Sequence, residues 1–347
     1  MSLHLRSRRG ITAAFSSVLL LAGFGLTACG SNASASGGLP TVTIGKAVDT
    51  IGFSAIDVAE QMGYFKDAGV NVKTELLQGS SQATAALQGG SIQFATLSSS
   101  ALLLAASKGV NLQAVCSLDH GVSVQVVVND DWAKQHNITP SSPLQQRMAG
   151  LAGAKDAAIS STGTSVLKLM MQQNGADPNS IDYVTVGSDA AGAAALGHGT
   201  LQVFVGSPPS TYTMERNSNA TVMAAASEIP ELKQMAYDIL ITDPSYASSH
   251  STEATAVATA LARAENLMAT DPEKVLDLEA QHFPTASKDD LLKSLKTVEW
   301  TTNGTFTQPM WDAAVKASQD MGQLSGTVDA TQDGLWTNKY LNVGEMK

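Results

Sequence analysis

Serine and threonine hydroxyls recur at the points where a strand-like run of the sequence gives way to a helix-like run. Helix starts present free N–H groups and a partial positive charge, and hydroxyls added there can hold a small anion or a polar ring. Ser and Thr at such points are also ordinary helix N-caps, each worth roughly 1 kcal/mol, so both interpretations stay open. Lys and Arg are absent from these turns, which occupy residues 79–81, 98–100, 161–165 and 187–189.

No catalytic motif accompanies the hydroxyl-rich turns. The sequence contains no phosphate-binding Walker A loop, no nucleophile elbow and no glycine fingerprint for a dinucleotide. Its six histidines are scattered, with no pair at metal-ligand spacing on a helix. Asp130 and Asp131 fit a solvated strand end better than a catalytic carboxylate pair. We therefore predict no catalysis, no metal and no cofactor, with a Ser/His/Asp set drawn from distant segments as the alternative.

The elements that must position these turns alternate between strand and helix periodicity, which predicts an α/β fold with a mainly parallel sheet. Helical patterns occupy residues 54–62, 80–88, 189–196 and 254–269, and residues 161–165 read as a polar loop. The strand–helix pattern restarts after a turn-rich stretch at residues 137–143, and the chain beyond Pro244 is mostly helical. The predicted strands are residues 41–47, 70–77, 92–96, 112–118, 122–129, 157–160, 182–186, 201–205 and 221–225.

Composition narrows the class of protein. The chain has 347 residues, enough for two domain-sized units, and 44% hydrophobic residues, enough for a sizeable core. Its 21 basic and 31 acidic residues give a net charge of −10, which argues against nucleic-acid binding. Charged residues make up 15% of the chain and aromatic residues 5%, so much of the surface is neutral and polar. Two cysteines are too few for a disulfide framework.

The first 28 residues have the layout of a secretory signal peptide. Arg6, Arg8 and Arg9 form a basic start, an apolar run follows from residue 11 to residue 26, and small residues close it. Without these three charges the net charge falls from −10 to −13. A membrane-spanning anchor is the alternative, although the run is near the lower length limit for crossing a bilayer and contains Ser and Gly.

Residues 26–29, Leu-Thr-Ala-Cys, resemble the bacterial lipobox, in which the cysteine receives a diacylglycerol and becomes the first residue of the mature protein. A Gly/Ser/Ala-rich stretch follows, so we predict a lipidated Cys29 and a flexible tether over residues 29–39. An ordinary signal that happens to contain a cysteine is the alternative. Cys116 lies in an apolar strand-like run, which favours a buried, unreactive thiol.

Three segments of the chain resemble a known family. Residues 63–70, Gly-Tyr-Phe-Lys-Asp-Ala-Gly-Val, resemble a motif of ABC-transporter solute-binding proteins, in the group that includes nitrate, taurine, alkanesulfonate and thiamine-pyrimidine-precursor binders. Residues 85–95 and 194–203 resemble the family's segment around a Leu-x-x-Gly turn, with Gln93 and Gln202 where an acid is usual. The order and spacing of these segments behind a lipobox carry the resemblance over nearly the whole mature chain.

The resemblance implies a two-lobed periplasmic-binding-protein fold of type II, with ligand in the cleft between the lobes. Lobe one would take residues 40–123 and 240–347, and lobe two residues 124–239. Two crossing segments, near residues 121–126 and 237–242, would join the lobes. Closing the lobes on a ligand would be a hinge motion.

The resemblance also implies which loops would contact ligand. Asp49 follows the first strand and is either a ligand contact or a turn residue; facing the cleft, it would favour a ligand with a hydrogen-bond donor over a bare anion. Pro208 and Pro209 depart from the family pattern. Phe53 and Tyr212 are the nearest candidates for stacking and are equally suited to the core. The predicted ligand-binding residues are Asp49, Thr50, Gly52, Ser80, Ser81, Ser98, Ser99, Thr162, Gly163, Thr164, Ser165, Asp189 and Ser207.

Together these observations predict a lipid-anchored, monomeric solute-binding component of an ABC importer. It would hold a small polar or anionic organic solute (sulfonate-, taurine-, nitrate- or pyrimidine-like), without cofactor, metal or nucleic acid. Its partners would be that solute, the permease in the cytoplasmic membrane and, through the lipid, the membrane itself. The expected location is the outer side of the cytoplasmic membrane or the periplasm. The alternatives are an enzyme or a sensory ligand-binding domain on the same fold.

Overall fold

A computed structural model describes residues 38–158 and 161–342 of the chain. The predicted signal peptide at residues 1–28, the predicted lipidation site Cys29 and most of the predicted tether lie outside these residues. Within the described ranges, no helix has the length and apolar character needed to cross a membrane.

Strands and helices alternate along the described chain, as the sequence periodicity predicts. The strands are β1 (Thr41–Lys46), β2 (Asn71–Leu76), β3 (Phe94–Ser98), β4 (Gln113–Ser117), β5 (Asp119–His120), β6 (Gln125–Asn129), β7 (Lys155–Ala158), β8 (Asp182–Thr185), β9 (Val203–Gly206), β10 (Ala220–Ala225), β11 (Asp238–Thr242) and β12 (Glu299–Trp300). The helices are α1 (Ser54–Gln61), α2 (Tyr64–Asp67), α3 (Ser80–Gln88), α4 (Ser99–Ser107), α5 (Asp130–Gln135), α6 (Leu144–Ala149), α7 (Ser161–Gln173), α8 (Asp189–Gly197), α9 (Ser210–Asn217), α10 (Pro230–Gln234), α11 (Pro244–Ser249), α12 (Ser251–Thr270), α13 (Leu276–His282), α14 (Lys288–Thr297) and α15 (Gln308–Asp320).

Two five-stranded sheets with the same plan form the two lobes of the α/β structure. The strand order is β2-β1-β3-β11-β4 in the first sheet and β8-β7-β9-β6-β10 in the second. In each sheet a single strand, β11 or β6, runs antiparallel to both of its neighbours, and the other strands share one direction. Each sheet is therefore mainly parallel. The antiparallel strand is the one that the chain enters directly after passing from the other lobe.

In the structure the segments that cross between the sheets are residues 120–124 and 232–237, next to the predicted ranges, and they lie side by side. Gly121 N–H donates to the Met235 carbonyl at 2.8 Å, and Val122 N–H donates to the Leu232 carbonyl at 2.8 Å. His120 and Ala236 form an antiparallel bridge. Gly121 has φ +78°, and a Cβ there would stand 2.7 Å from the Lys233 carbonyl oxygen, so the close approach of the two crossings needs a glycine.

The start of α7 differs from the sequence prediction. Residues 161–165 were expected to be a polar loop, and they form the first turn of a helix that runs to Gln173. Ser, Thr and Gly have low intrinsic helix propensity, but the turns that follow bury Val166, Leu167 and Met170 completely. Tertiary packing of this apolar face outweighs the weak propensity of the first turn.

Several carboxyl groups are buried in the fold without a charged partner. Asp156 on β7 is fully buried, and neither of its carboxyl oxygens has a hydrogen-bond partner among the described residues. Burial raises its pKa to about 7 because the charged form loses its hydration. The folded protein therefore holds this proton at pH values where the unfolded chain has released it, which makes folding less favourable as pH rises.

We expect the substitution Asp156→Asn to flatten the pH dependence of stability. Between pH 5 and pH 8 the wild-type free energy of unfolding should fall by roughly 2–3 kcal/mol more than that of the variant, because only the wild type must carry a buried charge at pH 8. Urea unfolding at the two pH values measures the difference. The control is Asp182→Asn, whose side chain on the adjacent strand β8 is 69% exposed. Equal pH slopes for Asp156→Asn and wild type would contradict the prediction.

A second prediction concerns the contact between the crossings. Gly121→Ala should destabilise the protein by roughly 2–4 kcal/mol, because it adds a steric clash to the strain of a left-handed backbone. Gly153→Ala is the matched control, since Gly153 has φ +83° and nothing within 4 Å of an added Cβ. That variant should lose only about 1–2 kcal/mol. Thermal or urea unfolding compares the two, and equal losses would show that the crossings tolerate the extra methyl group.

Candidate functional site

A cavity of about 820 Å³ opens between the two sheets, at the crossing segments. It is bounded by residues that follow the carboxyl ends of strands and by the first turns of helices α3, α7, α8 and α9, the position where ligands bind in open α/β sheets. The part before the first crossing contributes Ala47, Val48, Asp49, Thr50, Phe53, Gly79, Ser80 and Ser98, and the crossings contribute Ser123, Val124, Tyr237 and Asp238. The second sheet and its helices contribute Thr162, Gly163, Asp189, Ala190, Ala193, Val205, Gly206, Ser207, Pro208, Pro209, Ser210, Thr213 and Met214, and the C-terminal part adds Phe283 and Thr285.

Most of the loops that the sequence singled out reach this cavity. The predicted ligand-binding residues that line it are Asp49, Thr50, Ser80, Ser98, Thr162, Gly163, Asp189 and Ser207. Their ligand contacts stay predictions, since the structure places the residues at the cavity and contains no ligand.

The other predicted residues lie outside the cavity lining, each for a local reason. Ser81 is exposed, and Ser99 is buried with its hydroxyl donating to the Ala236 carbonyl at 2.5 Å. Thr164 and Ser165 lie further along α7, whose first turn already starts at Ser161. Gly52 is buried beneath the cavity floor, against a carboxyl group described below.

Ser98 has a structural role as well as a place in the lining. It is the N-cap of α4, and its hydroxyl accepts a hydrogen bond from the Ala101 N–H at 3.4 Å. Ser188 caps α8 in the same way, accepting from the Ala191 N–H at 3.2 Å. No side chain caps α3 or α9, whose first turns also line the cavity. Capping therefore explains part of the hydroxyl pattern and leaves Ser80 and Ser210 without that role.

Asp49 lines the cavity with its charge already paired. Lys46, at the end of β1, places its Nζ 2.6 Å from Asp49 Oδ1 and 2.7 Å from Asp57 Oδ2. Burial lowers the pKa of this nearly buried lysine, but the two carboxylates outweigh that effect and raise it overall. Lys46 therefore stays charged and neutralises much of the negative charge that Asp49 brings to the cavity.

Asp238 is a cavity residue that the sequence reasoning missed. It is 6% exposed, at the start of β11, and its backbone N–H donates to Asp119 Oδ1 at 2.8 Å. Neither of its own carboxyl oxygens has a hydrogen-bond partner among the described residues. A Cβ on Gly52 would stand 2.0 Å from Asp238 Oδ2 and 3.3 Å from Asp119 Oδ2, so glycine is what lets these two carboxyls fit. The available signal was an aspartate directly before the apolar run Ile-Leu-Ile.

The two neighbouring carboxyls are held in their neutral forms by burial. Loss of hydration raises the pKa of Asp238 to about 8. Burial, together with the Asp238 carboxyl, raises the pKa of Asp119 well above its usual range. Asp189, at the first turn of α8, has one buried carboxyl oxygen without a partner among the described residues, and burial raises its pKa too.

The two stacking candidates have different positions. Phe53 lines the cavity, whereas Tyr212 lies outside the lining, with its hydroxyl accepting from Gln125 Nε2 at 2.8 Å. Phe283 and Tyr237 are further aromatic lining residues that the sequence did not single out. Among the described lining residues there is no Lys, Arg, His or Cys, and no cluster of metal-ligating side chains occurs in residues 38–158 and 161–342.

The Gly-Tyr-Phe-Lys motif has a structural position away from the cavity lining. Gly63 adopts φ +75° directly after α1, and α2 then packs on α12. The Arg263 guanidinium on α12 stacks over the Tyr64 ring at 4.1 Å and lies 3.5 Å from Asp67. The motif therefore fixes a helix junction in the first lobe.

Comparison with solved structures identifies the fold. The aliphatic sulphonate binding protein SsuA from Escherichia coli superimposes with a TM-score of 0.68 at 16% identity, covering 87% of this chain and 99% of that one. A ligand-binding component of an ABC-type import system from Staphylococcus aureus gives 0.69 at 14% identity, covering 89% and 99%. The nitrate-binding protein NrtA from Synechocystis gives 0.64 at 13%, covering 84% of each chain. The chain thus has the two-lobed periplasmic-binding-protein fold of type II.

Comparison at the level of sequence identifies the family of the chain. No curated protein matches the chain. A family model described as NMT1/THI5 like matches residues 51–275, which is more than half of the chain and spans both lobes. The chain belongs to the NMT1/THI5-like family.

Proposed function

We propose that this protein is the solute-binding component of an ABC importer, which captures a small polar organic solute and delivers it to a permease. The cavity between two lobes joined by two crossings carries the proposal. The staphylococcal protein, which shares the fold, is described as a ligand-binding component of an ABC-type import system, and SsuA as a periplasmic sulphonate binding protein. The hydroxyl-rich lining offers hydrogen bonds to a ligand from both lobes, and no described lining residue is a His or Cys that could serve as base or thiol nucleophile.

The geometry suggests how capture would work. The ligand would touch Ser80 and Thr50 on one side of the cavity and Thr162 and Ser207 on the other. A ligand that contacts both lobes binds the closed form better than the open form, so it shifts the population toward closure. The paired crossings act as the hinge in this proposal, and the closed form is what a permease would recognise.

Export and anchoring complete the proposal. The basic start, apolar run and Leu-Thr-Ala-Cys sequence support lipidation at Cys29, which would hold a monomeric protein at the outer side of the cytoplasmic membrane. A sensory domain on this fold would differ in its partner. Affinity capture of a permease supports transport, and capture of a membrane receptor in its place supports sensing.

Ligand binding is tested by filling the cavity from one lobe. Ser80→Trp should weaken solute affinity at least about tenfold, because the indole would occupy the binding volume at a lining position. Ser81→Trp is the matched control, since Ser81 is the next residue in the sequence but is exposed and lies outside the lining. The solute is first identified by native mass spectrometry of freshly purified protein and then titrated calorimetrically. Equal affinity in both variants would place the binding site elsewhere, and a protein that binds no solute would refute the proposed function.

Anchoring is tested at the two cysteines. Cys29→Ser should move the full-length protein from the membrane fraction to the soluble fraction of bacterial cells, because serine cannot carry the thioether-linked lipid. Cys116→Ser, at a fully buried position, should leave the protein in the membrane fraction. Fractionation followed by immunoblotting measures both. Continued membrane association of Cys29→Ser would exclude a lipid anchor at that residue.

A further inference from the structure

The charges around the cavity are unbalanced. Three described lining residues are aspartates, and none is a lysine, arginine or histidine. Lys46 pairs with Asp49 from behind the lining, so Asp189 and Asp238 are the lining carboxyls without a described cationic partner.

Asp238 is the most deeply placed of these groups. It is more than nine-tenths buried, lines the cavity and receives no hydrogen bond from any described residue. Burying a carboxyl group without a partner costs folding free energy. An apolar residue at position 238 would avoid this cost. Asp238 lines the cavity, where a ligand can supply hydrogen-bond donors.

Asp189 faces the same cavity from the second lobe. It lies in the first turn of α8, and one of its carboxyl oxygens is buried without a described partner. The helix start carries a partial positive charge that would attract an anion, and a carboxylate in that turn offsets it. Asp189 and Asp238 therefore line one cavity from different parts of the fold, and the Ser210 hydroxyl, which hydrogen-bonds to the Asp189 carboxyl, leaves Asp189 Oδ1 without a described donor.

We propose that the solute carries a positively charged nitrogen, an ammonium or amidinium group, whose N–H groups bind Asp238 and Asp189, and that these two carboxyls select it over anions. The proposal deepens the proposed function and rests on it. A charge-assisted hydrogen bond between N⁺–H and carboxylate is among the stronger polar contacts in proteins, and burial strengthens it. The solute class is then opposite in charge to the sulphonate and nitrate named for two proteins of the same fold.

The pH dependence of binding distinguishes a cation from an anion. Burial raises the pKa of the Asp238 carboxyl, so the free protein holds this proton at pH values where an exposed aspartate has released it. The titratable groups around it are Asp119 on β5, the adjacent Tyr237 and, beyond Asp119, Glu265 on α12, none of which is a cation. A cation must expel the Asp238 proton, so its affinity rises with pH up to about 8. An anion that accepts this proton in a hydrogen bond would bind more weakly as pH rises.

The test is a thermal-shift screen of the full mature chain at pH 6.5 and pH 8.5. The panel contains three matched classes of small solute: amines and amidines, neutral amides and alcohols, and sulfonates and carboxylates. We expect stabilisation by members of the first class alone, and a larger shift at pH 8.5. Titration of each hit should show roughly 10- to 100-fold weaker binding to Asp238→Asn, the loss of a charged hydrogen bond. Asp289→Asn, at an exposed position on α14, should bind like wild type.

The outcomes separate the two proposals. The charge assignment is overturned if anionic or neutral solutes bind, or if the affinity for cations is unchanged in both Asp238→Asn and Asp189→Asn. Either result leaves solute capture intact. Asp189→Asn also covers the case in which Asp238→Asn fails to fold, and it should weaken cation binding roughly tenfold. Absence of any stabilising solute, together with no retained ligand in native mass spectrometry, overturns the proposed function and this inference with it.

Discussion

The hydrogen-bonded pairing of the two crossing segments is the contact on which the position of the cavity depends. Backbone bonds from Gly121 and Val122 to the opposite crossing hold the segments together, and the Asp238 N–H adds a bond to Asp119. Both connections between the sheets run through this narrow region, and ion pairs join the lobes elsewhere: Arg216 on α9 lies 2.7 Å from Asp290 on α14, and Lys316 on α15 lies 2.9 Å from Glu231 on α10. The cavity lies at the crossings, which contribute Ser123, Val124 and Tyr237 to its lining.

The same region concentrates groups that are costly to bury. Asp119 and Asp238 bring two carboxyls close together, and Glu265 is fully buried with one oxygen lacking a described partner. Apolar side chains at these positions would avoid the desolvation cost, so the acids reduce folding stability. Residues that lower folding stability in this way are typical of functional sites. A ligand that supplied hydrogen-bond donors to these oxygens would recover part of that free energy.

Much of the local structure follows from the sequence pattern. The sequence pattern predicts nine of the strands to within a few residues, but it does not predict the two-residue strands β5 and β12, and residues 237–242, predicted as a crossing segment, form the central strand β11. Site prediction succeeds at the level of loops and fails at single residues. Ser80 reaches the cavity and Ser81 does not, and Ser98 reaches it while Ser99 is buried. Successive residues at a helix start point in directions about 100° apart, and one-dimensional spacing does not say which direction faces the cleft.

By itself the sequence determined the α/β class, the restart of the pattern that makes two lobes, and the hydroxyl-rich turns at their edges, because these depend on short-range periodicity and capping. Tertiary structure decided the rest. It turned residues 161–165 from an expected loop into a helix and brought Asp238, in a predicted crossing segment, to the cavity beside Asp119. These outcomes depend on contacts between residues up to hundreds of positions apart, and the free energy of such contacts is fixed only when the chain has folded.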